Sequence, residues 1–181
     1  MGDGAPWEHD ATLHAWWVEP GRLLAGEYPG SRTHASTVAK VRALVAAGVE
    51  SIDLTTPADH LDSYQAELAL EAERARRSIH HFEYPIPDMG VVDQKRYDDI
   101  LARIRDEMEG GRTVYVHCWG GKGRTSTVIG CHLIDEGLAY DRALKRIADL
   151  RVGTRKAKEP CPESAAQHRV LRERSARRTQ Q

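Results

Sequence analysis

The chain has 181 residues, 40% of them apolar and 29% charged, which is enough to fill one core and too apolar for a disordered chain. Its 26 basic and 27 acidic side chains leave a formal charge of −1, which argues against a protein built to coat nucleic acid. Three cysteines at irregular spacing do not suggest a disulfide scaffold, and no apolar run reaches signal-peptide or membrane-span length, so the chain reads as a cytoplasmic monomer without membrane insertion.

In chain order, Trp16, Trp17 and Tyr28 pack an N-terminal hairpin onto the body. Residues 22–25 form a short strand candidate, 27–32 a turn, and 33–47 a helix with Val38, Val41, Leu44 and Val45 on its apolar face, closed by Gly48. A strand follows at 49–54 and ends in the turn-prone TTPAD. Residues 64–77 read as helix, 78–84 as strand, and 85–92 (PIPDMGVV) as a loop punctuated by two prolines and a glycine. Asp93 then caps a helix running to Glu109, with Tyr97, Ile100, Leu101 and Ile104 on one face. The clearest strand is 113–117 (TVYVH), a short β-branched and aromatic run with glycines on both sides. Helices are predicted at 125–136, 140–150 and 163–176. Strands alternating with helices imply an α/β fold, a layered sheet with helices on its faces, whose ligands bind beyond the carboxyl ends of the strands.

The loop delivered by TVYVH carries the chemistry. His117-Cys118-Trp119-Gly120-Gly121-Lys122-Gly123-Arg124-Thr125 places a cysteine at a strand end and an arginine at a helix start. Glycines at 120, 121 and 123 let successive N–H groups turn inward around one anion, and the following helix adds the positive end of its dipole. Arg124 offers a planar fork that matches two phosphate oxygens. The same field, with the hydroxyl of Thr125, favours Cys118 as a thiolate aimed at phosphorus, which implies a phosphocysteine intermediate. A nucleotide-binding loop wants Gly-Lys followed by Ser or Thr, and Lys122 is followed by Gly123. A zinc set of His117, Cys118, Cys131 and His132 lacks the usual close-pair spacing. An inert buried cysteine would leave three glycines and an arginine to chance.

HCWGGKGRT resembles the His-Cys-x5-Arg-Ser/Thr signature of the cysteine-dependent protein tyrosine and dual-specificity phosphatase superfamily. GRLLAGEYPG, GVESIDLT, YPIPDMG and PESAAQ look like recurring segments of its small dual-specificity members. The resemblance implies one domain over residues 21–174 with a mixed, mostly parallel sheet, preceded by a packed segment (1–20) and followed by a basic flexible tail (175–181). It also implies no metal or cofactor, and two-step hydrolysis of a phosphomonoester on a protein or small molecule. Asp88, 30 residues before Cys118, takes the general-acid role by resemblance; an acidic residue in a loop after a strand, on the same sheet edge, agrees with it. Asp93 is the rival acid and reads better as a helix cap.

Within the resemblance, His117 orders the loop by hydrogen bonding, and Trp119 lines the pocket wall. Lys122 lies near the rim, where phosphoinositide phosphatases of the superfamily also carry a lysine, so a polyphosphorylated small molecule is the alternative substrate. Arg155, Lys156 and Lys158 lie in a stretch that can approach the mouth and bind a second anionic group. Gln167 resembles a glutamine of the family and here opens or supports a helix. Cys131 reads as a small core residue, with a protective disulfide to Cys118 as the minority reading. From other classes come a phosphate-binding module without turnover, and sulfur transfer or arsenate reduction, which has no evident need for Asp88.

Overall fold

In the computed structural model, residues 6–56, 59 and 63–179 are described. Among them are five strands and six helices, alternating from β2 to α4: β1 Ala15–Glu19, β2 Leu23–Gly26, α1 His34–Ala47, β3 Val49–Asp53, α2 Gln65–Arg74, β4 His81–Glu83, α3 Gln94–Glu109, β5 Thr113–His117, α4 Gly123–Asp135, α5 Tyr140–Leu150 and α6 Ala165–Arg178. The sheet runs β1-β2-β5-β3-β4, antiparallel only between β1 and β2, so the expected mixed, mostly parallel sheet is present.

Alternation along β5 explains why both faces of the sheet are covered. Val114 and Val116 point into the main core with Ile52 of β3, Tyr97, Ile100 and Ile104 of α3, and Val128 and Ile129 of α4. Tyr115, between them, points to the opposite face, where Leu24 and Val49 meet Ala43 and Leu44 of α1. Helix ends follow local chemistry. Thr33 caps α1, and Gly48 closes it in the left-handed conformation at φ 70°. Asp93 accepts the Arg96 N–H at 2.8 Å and caps α3, which gives it the cap role over the acid role.

The segment at 1–20 does more than pack on the domain: residues 15–19 are the edge strand β1, with Trp16 and Val18 turned into the main core. Tyr28 lies beyond the hairpin, edge-on to Tyr64 and His117. The strand expected at 78–84 shortens to its central residues, because β4 is an edge that pairs only with β3. α4 starts two residues earlier than expected, at Gly123. α6 continues through Arg178, so the first residues of the expected flexible tail are helical; residues 180–181, like 1–5 and 57–58 of the TTPAD turn, lie outside the described residues.

The register sets the site. Gly26, His117 and Asp53 are cross-strand neighbours at the carboxyl ends of β2, β5 and β3, so the chain leaves all three strands at one edge.

Candidate active site

Cys118 follows β5 at that edge and is 3% exposed. The loop behind it is anchored from outside: the Tyr28 N–H donates to the Trp119 carbonyl at 3.0 Å, and Lys156 Nζ donates to the Gly120 carbonyl at 3.0 Å. Gly121 sits at φ 73°, and a Cβ there would stand 2.5 Å from the Gly26 carbonyl carbon and 2.7 Å from the Glu27 nitrogen. Only glycine lets this loop cross β2 so closely. The Thr125 hydroxyl points to the Gly26 carbonyl at 3.5 Å, a contact that ties α4 to β2. Ser126 turns back onto the carbonyls of Lys122 and Gly123.

Arg124 is 2% exposed, and its guanidinium is held from several sides. Nη1 donates to Asp59 Oδ2 and to the Ile86 carbonyl, each at 3.1 Å, and Nη2 donates to Asp59 Oδ1 at 3.1 Å. Asp88 Oδ1 lies 3.1 Å from the same Nη2. Burial alone would raise the Asp59 carboxyl, but hydrogen bonds from Arg124 and Thr56 outweigh it and hold the group below the usual carboxylate range. Burial likewise works against the Arg124 charge, and Asp59, Cys118 and Asp88 restore it. Thr56, Asp59, Pro87, Asp88 and Trp119 line a cleft of about 510 Å³. Trp119, 50% exposed, stacks on Tyr28 at 6.1 Å between ring centroids.

Asp88 and Trp119 therefore line one cleft, and the buried Arg124 guanidinium holds Asp88 and Asp59 from behind it. Asp59 joins them, although in the sequence it reads only as part of the TTPAD turn. The signal that found Asp88, an acid in a loop leaving the same sheet edge, applies equally to Asp59 in TTPAD.

The remaining basic residues behave differently from expectation. Lys122 turns to Glu159 at 2.6 Å and Glu163 at 3.0 Å. Lys156 binds Glu27 at 2.7 Å, and Arg155 binds the same carboxylate. Arg155 and Lys156, two of the three charges expected to face a second anionic group, are thus paired within the protein, and Lys158 makes neither of these pairs. Gln167 is fully buried: its Oε1 accepts the Glu163 and Ser164 N–H groups at 3.0 and 3.1 Å, and its Nε2 donates to the Gly90 carbonyl at 3.4 Å. It thus caps α6, as read, and also fastens that helix to the loop bearing Asp88. His117 and His132 are committed elsewhere, to Tyr64 at 2.6 Å and Glu19 at 2.9 Å, so the zinc set is not assembled. Cys131 is buried within the core, which raises its thiol to about 12.

Comparison with known proteins gives a family and a fold. The model of a Swiss Army Knife protein family, the DSP-PTPase phosphatase domain, matches residues 13–181. Cyclin-dependent kinase inhibitor 3 of Sus scrofa is 26% identical over 110 residues, which are 60% of this chain and 51% of that protein. The human protein of the same name is 23% identical over 161 residues, 82% and 76% of the two chains. The chain thus spans about half the length of the pig relative. Among solved structures, Tk-PTP in its active form superposes with a TM-score of 0.69 at 23% identity, covering 90% of this chain and 97% of that one. Kinase associated phosphatase gives 0.73 at 18%, covering 93% and 97%, and PTPMT1 in complex with PI(5)P gives 0.66 at 19%, covering 88% and 94%. These likenesses establish the fold.

Proposed function

The chain belongs to the DSP-PTPase phosphatase domain family, and from that premise we propose that it hydrolyses phosphomonoesters through a phosphocysteine. The observation that carries the reading is the meeting of Arg124, six residues after Cys118, with Asp88 at 3.1 Å above the same strand edge. The Cys118 thiolate attacks phosphorus as the bond to the leaving oxygen breaks, and Asp88 gives that oxygen its proton. Water then attacks the phosphocysteine, Asp88 takes the water's proton, the S–P bond breaks, and inorganic phosphate leaves. Arg124 and the inward N–H groups of residues 119–124 hold the equatorial oxygens throughout.

The substrate reading follows from what lines the mouth. Lys122, Arg155 and Lys156 are each ion-paired within the protein, while Trp119 offers an exposed aromatic face beside Pro87. One phosphate on an aryl group, as in a phosphotyrosine protein, fits this mouth better than a polyphosphorylated headgroup. The reaction needs a reduced Cys118, so the proposal includes a reducing, cytoplasmic setting. No helix among the described residues is long and apolar enough to cross a membrane.

The test is hydrolysis of p-nitrophenyl phosphate and of a phosphotyrosine peptide. Turnover that resists chelators, is blocked by vanadate and vanishes in Cys118→Ser is the expected result; phosphate binding without turnover overturns it. An inositol bisphosphate turned over faster than the peptide would overturn the substrate class alone.

A further inference from the structure

Behind Cys118, a line of side chains leads from the surface to the carbonyl of the nucleophile. Gln65 Nε2 lies 2.9 Å from His81 Nε2, and His81 Nδ1 lies 3.3 Å from the Tyr64 hydroxyl. That hydroxyl is 2.6 Å from His117 Nε2, and His117 Nδ1 is 3.3 Å from the Cys118 carbonyl oxygen.

The two ends fix the direction of every link. A carbonyl oxygen only accepts, so His117 Nδ1 carries hydrogen. Full burial disfavours the imidazolium, so Nε2 of His117 is bare and accepts the Tyr64 hydroxyl hydrogen. The hydroxyl oxygen in turn accepts from His81 Nδ1. At the far end the Gln65 amide nitrogen only donates, giving one hydrogen to Glu83 at 2.6 Å and the other to His81 Nε2. Both imidazoles are therefore neutral and protonated on Nδ1, and reversal at any link would set two hydrogens or two lone pairs against each other.

The charged neighbours are consistent with this order. His81 faces Asp53 of β3 at 4.0 Å and Glu83 of β4 at 3.7 Å, and its burial outweighs both carboxylates, lowering its proton affinity. Asp53 is also 3.9 Å from His117 Nδ1, but its Oδ1 is engaged by the Thr55 N–H and hydroxyl at 2.7 and 2.6 Å.

We propose that Tyr64 and His81 are positioning residues for Cys118. They lock His117 in the tautomer that grips the nucleophile's own carbonyl, which keeps the loop N–H groups turned toward sulfur. This rests on Cys118 being the nucleophile, and it makes the setting of that sulfur depend on a side chain at the sheet's far edge, on β4.

The test compares the pH dependence of Cys118 alkylation by iodoacetamide in the folded parent, Tyr64→Phe, His81→Leu and His81→Asn, with ring ¹⁵N NMR of His117. Tyr64→Phe and His81→Leu are expected to move the alkylation curve to higher pH by roughly 0.5–1 unit, the scale of one lost hydrogen bond. His81→Asn, whose amide nitrogen can replace Nδ1–H, is expected to follow the parent. His81→Leu on the parent's curve, His81→Asn displaced as far as His81→Leu, or a parent His117 protonated on Nε2 would each overturn the proposal. If His81→Leu fails to fold by circular dichroism, Tyr64→Phe, which retains the ring, decides with the same criteria. Aryl-phosphate turnover of the parent is recorded alongside: its absence would remove the phosphatase reading while leaving the alkylation comparison interpretable.

Discussion

Asp59 grips Arg124 with both carboxylate oxygens, each 3.1 Å from a different terminal nitrogen of the guanidinium. A buried fork of five donors on a flexible stem has to be aimed before it can meet a phosphate, and this pair, with the Ile86 carbonyl, fixes its plane. Asp59→Asn, which keeps an acceptor and loses the charge, is expected to lower kcat/KM for p-nitrophenyl phosphate by roughly 10-fold, and Asp59→Ala by roughly 100-fold, the scale of a misplaced catalytic group. Activity within twofold of the parent for both variants would show that Arg124 aims itself.

In the proposed function, Asp88 stands on the nitrogen that an incoming phosphate would need. Its side chain is 68% exposed and its oxygen is 3.1 Å from Arg124 Nη2, so under the proposed mechanism substrate and acid compete for one donor. Removing the acid should therefore separate binding from chemistry. Asp88→Ala is expected to bind vanadate more tightly by roughly 2- to 5-fold, the worth of an exposed ion pair, while kcat falls by roughly 100-fold or more. Loss of the alkaline fall in kcat in Asp88→Asn would accompany it. Weaker vanadate binding would mean that Asp88 helps to hold the anion.

What could be read along the chain was whatever local chemistry decides. The glycine-bounded β5, the loop to Arg124, the Asp93 cap and the Gly48 stop all depend on neighbours within a few residues. Partners across the fold were out of reach. Lys122 meets Glu159 across 37 residues, and Lys156 meets Glu27 across 129, so lysines that look like free rim charges in the sequence turn out to be structural. Asp59 looks like any turn aspartate until the β3–β5 register brings its loop over Arg124. The N-terminal hairpin is legible without the bounds of β1, and β4 is overextended, for a related reason: β1 and β4 have one partner each, and that pairing, more than propensity, sets their ends.

The two central glycines of the loop should separate cleanly. At Gly121 an alanine would meet backbone atoms at 2.5–2.8 Å and hold a left-handed φ, which alone costs about 1–2 kcal/mol. At Gly120 the nearest atom is the flexible Lys122 Cε at 3.3 Å. Gly121→Ala is expected to lose roughly 100-fold or more in kcat/KM and to melt earlier, with Gly120→Ala within roughly fivefold of the parent. Equal activities would mean that the loop has room to slide off β2.

Glu27 is the tie between the N-terminal segment, the loop at 151–162 and the cysteine loop. It is buried and faces Lys156, Arg155 and Lys40, while accepting the His14 N–H at 3.1 Å. Burial would raise its carboxyl; the Lys156 hydrogen bond and the surrounding charges bring it below the ordinary value. A carboxyl depressed on folding stabilises above its unfolded pKa, about 4.3, and that contribution is lost as pH falls through the folded value. The melting temperature is expected to fall on acidification below about pH 4. Glu27→Gln should melt roughly 5–10 °C lower at pH 7 and show a shallower acid decline. An unchanged acid decline would remove Glu27 as a source of that stability.

The three thiols differ in what they can do. Burial raises Cys131 to about 12 and Cys161 to about 11, so at pH 7 roughly one Cys161 in ten thousand is a thiolate, and Cys131 fewer still. The Cys161 thiol is also spent on the Lys122 carbonyl at 3.3 Å. Cys118, by contrast, follows β5 at the strand edge that also carries the Arg124 loop, and in the proposed function it is the nucleophile. Native protein treated with limiting iodoacetamide and mapped by mass spectrometry is therefore expected to carry one label, on Cys118, with Cys131 and Cys161 modified only after denaturation. Mild peroxide should likewise oxidise Cys118 first, and the inertness of Cys131 predicts a Cys118 sulfenic acid ahead of a Cys118–Cys131 disulfide. A first label on Cys161 or Cys131 would show that exposure during breathing, and not the field of the loop, governs thiol reactivity here.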